Sequence, residues 1–160
     1  MVAELTIRPA RVNDVPRLLE LYKLLDIEAE PEMPIDRAQA RFLDLTSNSR
    51  HEIYVAELQE RIVGTFSMIF VGGIPHGARD SCIVEDVVVG AEMQGAGIGK
   101  RMMRFAMEQC ATRDCYKLVL SSHVNRAKAH RFYESLGFQK HGYSYLMPGR
   151  GLGASHLTGP

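Results

Sequence analysis

The sequence predicts an α/β (α+β) fold in which a mixed central sheet of six to seven strands is flanked by helices. Alternating apolar segments and stretches of helical periodicity follow one another in the order β-α-α-β-β-β-α-β-α-β. Short turns separate the middle strands, which are therefore antiparallel. A helix lies between the fourth and fifth strands, which implies a right-handed parallel crossover. A length of 160 residues fits one domain.

The bounds of the elements follow from the apolar period and from turn residues. The first helix begins after Asn13-Asp14 and extends to about Asp26, and Asp36 is the expected cap of the second. Gly137 is a left-handed cap for the last helix. We expect one domain over residues 1–147, followed by a Gly-rich tail over 148–160. The remaining predicted segments are strands 5–8, 53–57, 62–70, 82–89, 117–121 and 138–147, and helices 98–112 and 125–136.

Composition argues against two classes of partner. Nineteen basic residues balance nineteen acidic ones, whereas nucleic-acid binders and proteins of anionic membrane surfaces usually carry a basic excess. The three cysteines are odd in number and show no C-x-x-C spacing, which indicates reduced thiols and a cytoplasmic protein. No His, Cys, Asp or Glu cluster has a metal-binding spacing, so no metal site is expected.

The most informative segment lies between the fourth strand and the third helix, and it is Gln94-Gly95-Ala96-Gly97-Ile98-Gly99-Lys100. Amide groups at a helix N-terminus have no intrahelical acceptor, and the helix dipole places partial positive charge there. Glycines let that backbone approach an anion closely. The segment therefore predicts a pyrophosphate site.

Two other Gly-rich loops fit this segment less well. A Walker loop needs Ser or Thr after Gly-Lys, and here Arg101 follows Gly99-Lys100. The dinucleotide fingerprint Gly-x-Gly-x-x-Gly needs another spacing of glycines and an early βαβ unit, whereas this loop lies beyond the middle of the chain.

Gln94-x-x-Gly97-x-Gly99 resembles the central motif of the GNAT superfamily of N-acetyltransferases. The preceding strand, Val84-Glu85-Asp86-Val87-Val88-Val89, is similar to that of the glucosamine-6-phosphate N-acetyltransferases. A third segment, Ala129-His130-Arg131-Phe132-Tyr133-Glu134-Ser135-Leu136-Gly137-Phe138, resembles the family's second signature. The resemblance covers roughly residues 4–147, and the order and spacing of the motifs carry it.

The resemblance implies acetyl-CoA as co-substrate and a set of residues that hold it. The loop amides would bind the pyrophosphate, and the backbone of the fourth strand would pair with the pantetheine arm as an added strand would. A main-chain N–H near Val87 would face the thioester oxygen. The implied cofactor-binding residues are Val87, Val88, Val89, Gln94, Gly95, Ala96, Gly97, Ile98, Gly99, Lys100 and Asn125.

Two side chains are candidates for catalysis. A phenol titrates near pH 10, so Tyr133, at the family's signature position, is the candidate acid that protonates the leaving thiolate. A carboxylate on an apolar strand is costly unless it is paired or functional, so Glu85 is the candidate base. Strict alternation places Glu85 and Asp86 on opposite faces unless a bulge intervenes. Candidate substrate residues are Asp86, His123, His76 and Arg79.

The acceptor stays open among several amines. The signature Ala129–Tyr133 and the small size of the chain resemble the aminoalkylphosphonate N-acetyltransferases, whereas Glu85-Asp86 resembles the amino-sugar enzymes. The two classes stay open because the acceptor contacts would come from the variable segments 27–34 and 72–80. The main prediction is acetyl transfer to a primary amine of a small molecule. The alternatives are a protein or peptide N-acetyltransferase and a non-catalytic acyl-CoA sensor. By analogy with such sheets we expect a homodimer, with the segment Tyr143–Met147 and the tail as contact elements.

Overall fold

A computed structural model describes residues 4–25, 32–147 and 149. The chain divides into two compact units, one ending at Leu120 and the other beginning at Ser121. The prediction of a single domain over 1–147 stays a prediction, and the tail after Met147 lies outside the described residues except for Gly149. The elements of the first unit are β1 (Leu5–Pro9), α1 (Val15–Tyr22), α2 (Ile35–Thr46), β2 (His51–Leu58), β3 (Arg61–Val71), β4 (Ser81–Val89), α3 (Ile98–Thr112) and β5 (Lys117–Leu120).

The sheet of the first unit has the order β1-β2-β3-β4-β5. The pairs β1–β2, β2–β3 and β3–β4 are antiparallel, and the pair β4–β5 is parallel. The mixed sheet and the parallel crossover through α3 are therefore confirmed. The predicted number of strands was too high, because the described residues contain five rather than six to seven.

The segment 138–147 is not a strand. The second unit contains one regular element in its described part, α4 (Ala127–Ser135), and therefore no strand with which this segment pairs. Tyr143 and Tyr145 are 89% and 91% exposed. Alternation indicates a strand only where one face is buried and the backbone finds a partner, and here neither condition is met in this unit.

Helices cover both faces of the sheet in the first unit. Side chains of α1 and α2 pack on one face, in a cluster formed by Val15, Leu18, Ala38, Phe42, Ile53 and Val55. On the other face, Phe105 of α3 lies 5.0 Å from the ring of Tyr54 and 6.3 Å from that of Phe66. A Cβ at Gly64 would meet Met102 Sδ at 2.9 Å, so α3 approaches β3 more closely than a larger residue allows. This packing fixes the start of α3 beside the end of β4.

Several predicted boundaries need correction. The first helix ends at Tyr22, because the amides of Leu24 and Leu25 bond three residues back and tighten the last turn; the predicted end, Asp26, lies outside the described residues. Pro34 occupies the N-cap of α2, so Asp36 lies in its first turn and does not cap it.

The last helix is also shorter than predicted. It begins at Ala127 rather than at residue 125, because the amide of Arg126 bonds to the carbonyl of His123 and closes a turn there. Gly137 has a φ of +95°, and the amides of Gly137 and Phe138 bond to the last carbonyls of the helix. The left-handed cap predicted at Gly137 is confirmed.

Candidate functional site

The first turn of α3 presents backbone amides without acceptors. Its first helical hydrogen bond runs from the amide of Arg101 to the carbonyl of Gly97, at 3.2 Å. The amides of Gly97, Ile98, Gly99 and Lys100 precede that bond, and no side chain caps them. The loop before the helix is exposed. This helix start is therefore able to bind an anion such as a pyrophosphate.

The glycines of this loop set the direction of those amides. Gly95 and Gly97 have φ values of +83° and +80°, a region that side-chain-bearing residues rarely adopt. A Cβ at either position would meet nothing within 4 Å, so the backbone conformation and not crowding requires glycine. The Nε2 atom of Gln94 donates to the carbonyl of Val89 at 3.4 Å, which ties the loop to the end of β4.

The second half of β4 pairs on one side only within the first unit. Strand β5 pairs with residues Ser81 to Val84, while β3 pairs with β4 as far as Val89. On the β5 side, residues 85–89 therefore have backbone groups without a partner strand in this unit. Main-chain atoms of Val87 and Val89 lie in this segment, as expected for a strand that accepts an extended ligand.

A bulge interrupts β4 at the two acidic residues. Ser67 pairs with Glu85 and Thr65 pairs with Val88, so β4 carries one residue more than β3 between these pairs. Asp86 has a φ of +53°, in the left-handed region. The strict alternation expected for Glu85 and Asp86 therefore does not hold, and both side chains are exposed.

The environment of the two carboxyl groups favours their protonated forms. Partial loss of water around its carboxyl group raises the pKa of Glu85, and the negative charge of Asp86 raises it further. Partial desolvation also raises the pKa of Asp86, against the opposing effect of His51. A carboxylate with a raised pKa is a better proton acceptor than a free one, which suits a general base.

Two neighbours of Asp86 were not predicted from the sequence. Burial and the charge of Asp86 raise the pKa of Tyr22 to about 12, and hydrogen bonds with Thr65 and Ser67 oppose this. Burial lowers the pKa of His51, and Asp86 opposes that change. Tyr22 comes from α1 and His51 from the start of β2, so only the folded arrangement reveals their proximity to β4.

His76 and Arg79 lie at the other end of β4. The His76 ring stacks on Tyr116 at 4.0 Å, and Arg79 Nε donates to the carbonyl of His76 at 3.2 Å. They line a pocket of about 160 Å³ with Ser81 at its edge. Glu85 is four residues further along the strand, about 13 Å away at 3.3 Å per residue. The structure therefore does not bring these two candidates together with Glu85.

Tyr133 lies on α4 in the second unit. Its ring is half-buried between those of Phe132 and Phe138, with centroid distances of 5.2 and 5.8 Å. Burial raises the pKa of Tyr133, and Arg126 opposes this. A phenol that holds its proton at neutral pH is able to act as a donor.

His123 and Asn125 lie in the turn before α4, and both are exposed. His123 Nδ1 accepts a hydrogen bond from the backbone amide of Asn125 at 3.2 Å, which orients the imidazole ring. His130 Nε2 lies 2.9 Å from the carbonyl oxygen of His123. These bonds give His123 and His130 a local structural role in this turn.

Across the part of the chain that the structure describes, no helix combines the length and the apolar character needed to cross a membrane.

Comparison with known proteins identifies a family. The model of the acetyltransferase (GNAT) family matches residues 16–138. A glucosamine 6-phosphate N-acetyltransferase of Trypanosoma brucei brucei is 30% identical over 140 residues, which are 88% of this chain and 92% of that protein. Glucosamine 6-phosphate N-acetyltransferase 1 of Oryza sativa subsp. japonica is 28% identical over 82% of this chain and 79% of its own.

A solved structure supports the same relationship. The acetyltransferase of Trypanosoma brucei has a TM-score of 0.79 and 31% identity to this chain. The match covers 91% of this chain and 99% of the solved one. It extends from the sheet of the first unit into the second, as does the family match.

Proposed function

The chain belongs to the acetyltransferase (GNAT) family, and from that premise we propose that it acetylates the primary amine of a small molecule, glucosamine 6-phosphate. It is an acyl-CoA-dependent N-acyltransferase, and its co-substrate is acetyl-CoA. The observation that carries the proposed acceptor is the named activity of the trypanosome relative, whose similarity extends over most of both chains. The segment from Glu85 to Val89, which resembles the amino-sugar enzymes, supports the same acceptor.

The residues present fit the phosphates and the pantetheine arm of acetyl-CoA. Four amides at the start of α3 have no acceptor, and the exposed Lys100 adds a positive charge beside them. Main-chain atoms of Val87 and Val89, in the segment 85–89 that lacks a partner strand on the β5 side in this unit, would hold the pantetheine arm. The side chain of Val88 is buried, so that residue contributes through its position in the strand.

The bound thioester supplies the acetyl group, and the protein's part is to move two protons. Glu85 accepts a proton from the substrate ammonium, directly or through a water, so that the amine becomes a nucleophile. Asp86 is the alternative base, since the bulge leaves both carboxylates exposed. As the C–N bond forms and the C–S bond breaks, Tyr133 would donate its phenolic proton to the leaving sulfur. The amide near Val87 would donate to the carbonyl oxygen as negative charge develops there.

We also propose a cytoplasmic homodimer. Large apolar side chains near the end of the described second unit are exposed, among them Tyr143, Tyr145 and Leu146. A second copy of the chain would remove this apolar area from water. Light scattering that gives the mass of one chain over the working concentration range would contradict the dimer.

An acceptor panel with detection of the released thiol tests the proposed function. The panel contains glucosamine 6-phosphate, glucosamine, 2-aminoethylphosphonate, a polyamine and a lysine peptide. We expect the highest kcat/KM with glucosamine 6-phosphate, and at least about tenfold less with glucosamine, because a charge-assisted contact to the phosphate contributes about 1.5–3 kcal/mol.

Three results would contradict this proposal. A better rate with the aminophosphonate or with the peptide would assign another acceptor class. Equal rates with glucosamine and its 6-phosphate would remove the phosphate from recognition. Binding of acetyl-CoA without thiol release for any amine in the panel would favour the sensor.

A further inference from the structure

The three cysteines of the chain lie near one another in the first unit, although the proposed reaction uses none of them. Cys82 is on β4, Cys110 on α3, and Cys115 follows that helix. Burial raises the pKa of Cys82 to about 12, and the proximity of Cys110 and Cys115 contributes to this shift. All three are free thiols, and the described residues contain no cluster that would hold a metal ion.

Helix α3 ends in a Schellman motif that contains two of these cysteines. Asp114 has a φ of +51°, and its amide bonds to the carbonyl of Ala111 at 3.0 Å. The amide of Cys115 bonds to the carbonyl of Cys110, also at 3.0 Å. In this motif the side chains at these two positions frequently contact each other. The helix cap therefore brings the backbones of the two cysteines together.

The hydrogen bond between these two residues limits the separation of their Cα atoms. Standard bond lengths put Cα about 1.5 Å from N and about 2.4 Å from its own carbonyl oxygen. With the 3.0 Å bond between them, Cys110 and Cys115 have Cα atoms no more than about 7 Å apart. Disulfides need a Cα separation of about 4.4–6.8 Å. The backbone therefore has a geometry that a disulfide can use without a large movement.

The two thiols differ in burial. Burial raises the pKa of Cys110 to about 11, and the charge and the hydrogen bond of Cys115 add to this effect. Cys110 Sγ also donates to the carbonyl of Lys117 at 3.7 Å. Cys110 is 6% exposed, whereas Cys115 is partly exposed. An oxidant therefore reaches Cys115 first, and Cys110 is positioned behind it as the second thiol.

We propose that Cys110 and Cys115 form an oxidisable dithiol, which closes to an intramolecular disulfide when a peroxide oxidises Cys115. The Cys115 thiol loses its proton and the sulfur attacks one oxygen of hydrogen peroxide. The O–O bond breaks, a sulfenic acid forms, and the leaving hydroxide takes up that proton to become water. The Cys110 sulfur then attacks the sulfenic sulfur, the S–O bond breaks, and a second water leaves. In sum, two thiols and one peroxide give one disulfide and two waters.

Cys82 serves as the internal control for this proposal. It is fully buried on β4, and its thiol lies 4.0 Å from the carbonyl of Ile83. It has no position in the helix cap. Oxidation through the proposed dithiol therefore leaves Cys82 reduced, and a Cys82→Ser variant forms the same disulfide.

Peptide mapping under non-reducing conditions tests the proposal directly. The protein is treated with hydrogen peroxide, the remaining thiols are alkylated in denaturant, and the protein is digested with trypsin. Trypsin cuts after Arg104, Arg113 and Lys117, so the two cysteines fall in the peptides 105–113 and 114–117. We expect these two peptides as one linked species, converted to two by reducing agent. Cys115→Ser, which changes a partly exposed side chain, abolishes that species.

Other outcomes would overturn the proposal. They are a linkage that includes Cys82, a linkage between two chains, and a Cys115 that proceeds to sulfinic acid while Cys110 stays reduced. A second measurement is the melting temperature, which we expect to rise on oxidation of the wild type and to return on reduction, with no such cycle in Cys115→Ser. If the melting temperature of the disulfide-linked protein is unchanged, the expectation that the disulfide forms without straining the fold is wrong. None of these readouts depends on the acceptor or on catalysis.

Discussion

Replacing Gly97 by Ala tests the assignment of the phosphate site most directly. Gly97 has a φ of +80°, and a Cβ there would meet no atom within 4 Å. The substitution therefore lowers the free energy of unfolding through the backbone conformation alone, by about 1–2 kcal/mol for a left-handed alanine. If the loop relaxes to a negative φ instead, the amides that follow turn away from the ligand.

The expected effect on binding follows from the hydrogen bonds between these amides and the phosphate that the substitution would remove. One hydrogen bond to a charged phosphate contributes about 1.5–3 kcal/mol, which corresponds to a rise of about 10- to 150-fold in the Kd of acetyl-CoA. Titration calorimetry measures this Kd, and thermal unfolding with and without acetyl-CoA gives an independent value.

Gly77→Ala is the matched control for this variant. Gly77 has a φ of +71°, its Cβ position is equally open, and it lies in the loop before β4. We expect the two variants to lose similar stability, while Gly77→Ala leaves the Kd of acetyl-CoA unchanged. A Kd within twofold of the wild type for Gly97→Ala would refute the assignment, and equal losses of affinity in both variants would show that the effect is one of general stability.

Three further substitutions test the catalytic and structural roles. Tyr133→Phe should lower kcat about 100-fold, with the KM of acetyl-CoA within twofold, because only proton donation is lost; an unchanged kcat would remove this role. The kcat/KM of the wild type should fall as the pH drops through the raised pKa of Glu85. Glu85→Gln should lower the rate and remove this fall at low pH. If the variant keeps the same fall at low pH, Glu85 is not the base. Burial raises the pKa of Asp14, but hydrogen bonds from Arg8, at 2.7 Å, and from Arg11 outweigh it, so the pKa is lowered. Asp14→Asn should therefore cost about 1 kcal/mol in urea unfolding at pH 7, a difference that disappears as the pH falls through that lowered pKa.

Local chemistry explains the elements that the sequence predicted well. Helix α3 has the predicted bounds, Ile98 to Thr112, because glycines mark its start and a clear apolar period marks its length. The turn at Gln59-Glu60 joins β2 and β3 as expected, although both residues have positive φ without being glycine. In both cases the information lies within a few residues of the element.

Features that depend on distant partners were not predictable in the same way. The bulge at Asp86 is visible only when β4 is compared with β3, and nothing in the local sequence around Asp86 specifies an extra residue. The prediction of a strand after Gly137 was wrong because Tyr143 and Tyr145 alternate without a partner strand in their unit. The proximity of Tyr22 to Asp86 joins residues more than sixty positions apart.

The bulge also determines what the deletion of one codon in β4 would do to the protein. Strand β4 holds one residue more than the strand beside it, so every position from Val88 onward is displaced by one in the register. Loss of a single codon at this place would restore an ordinary ladder and move the loop that begins at Gly90 back by one residue. The pairing of β3 with β4 would continue after such a deletion, but the number of residues between the acidic pair and the glycine loop would change. A change of one codon is therefore enough to alter that spacing while the residues on either side stay the same.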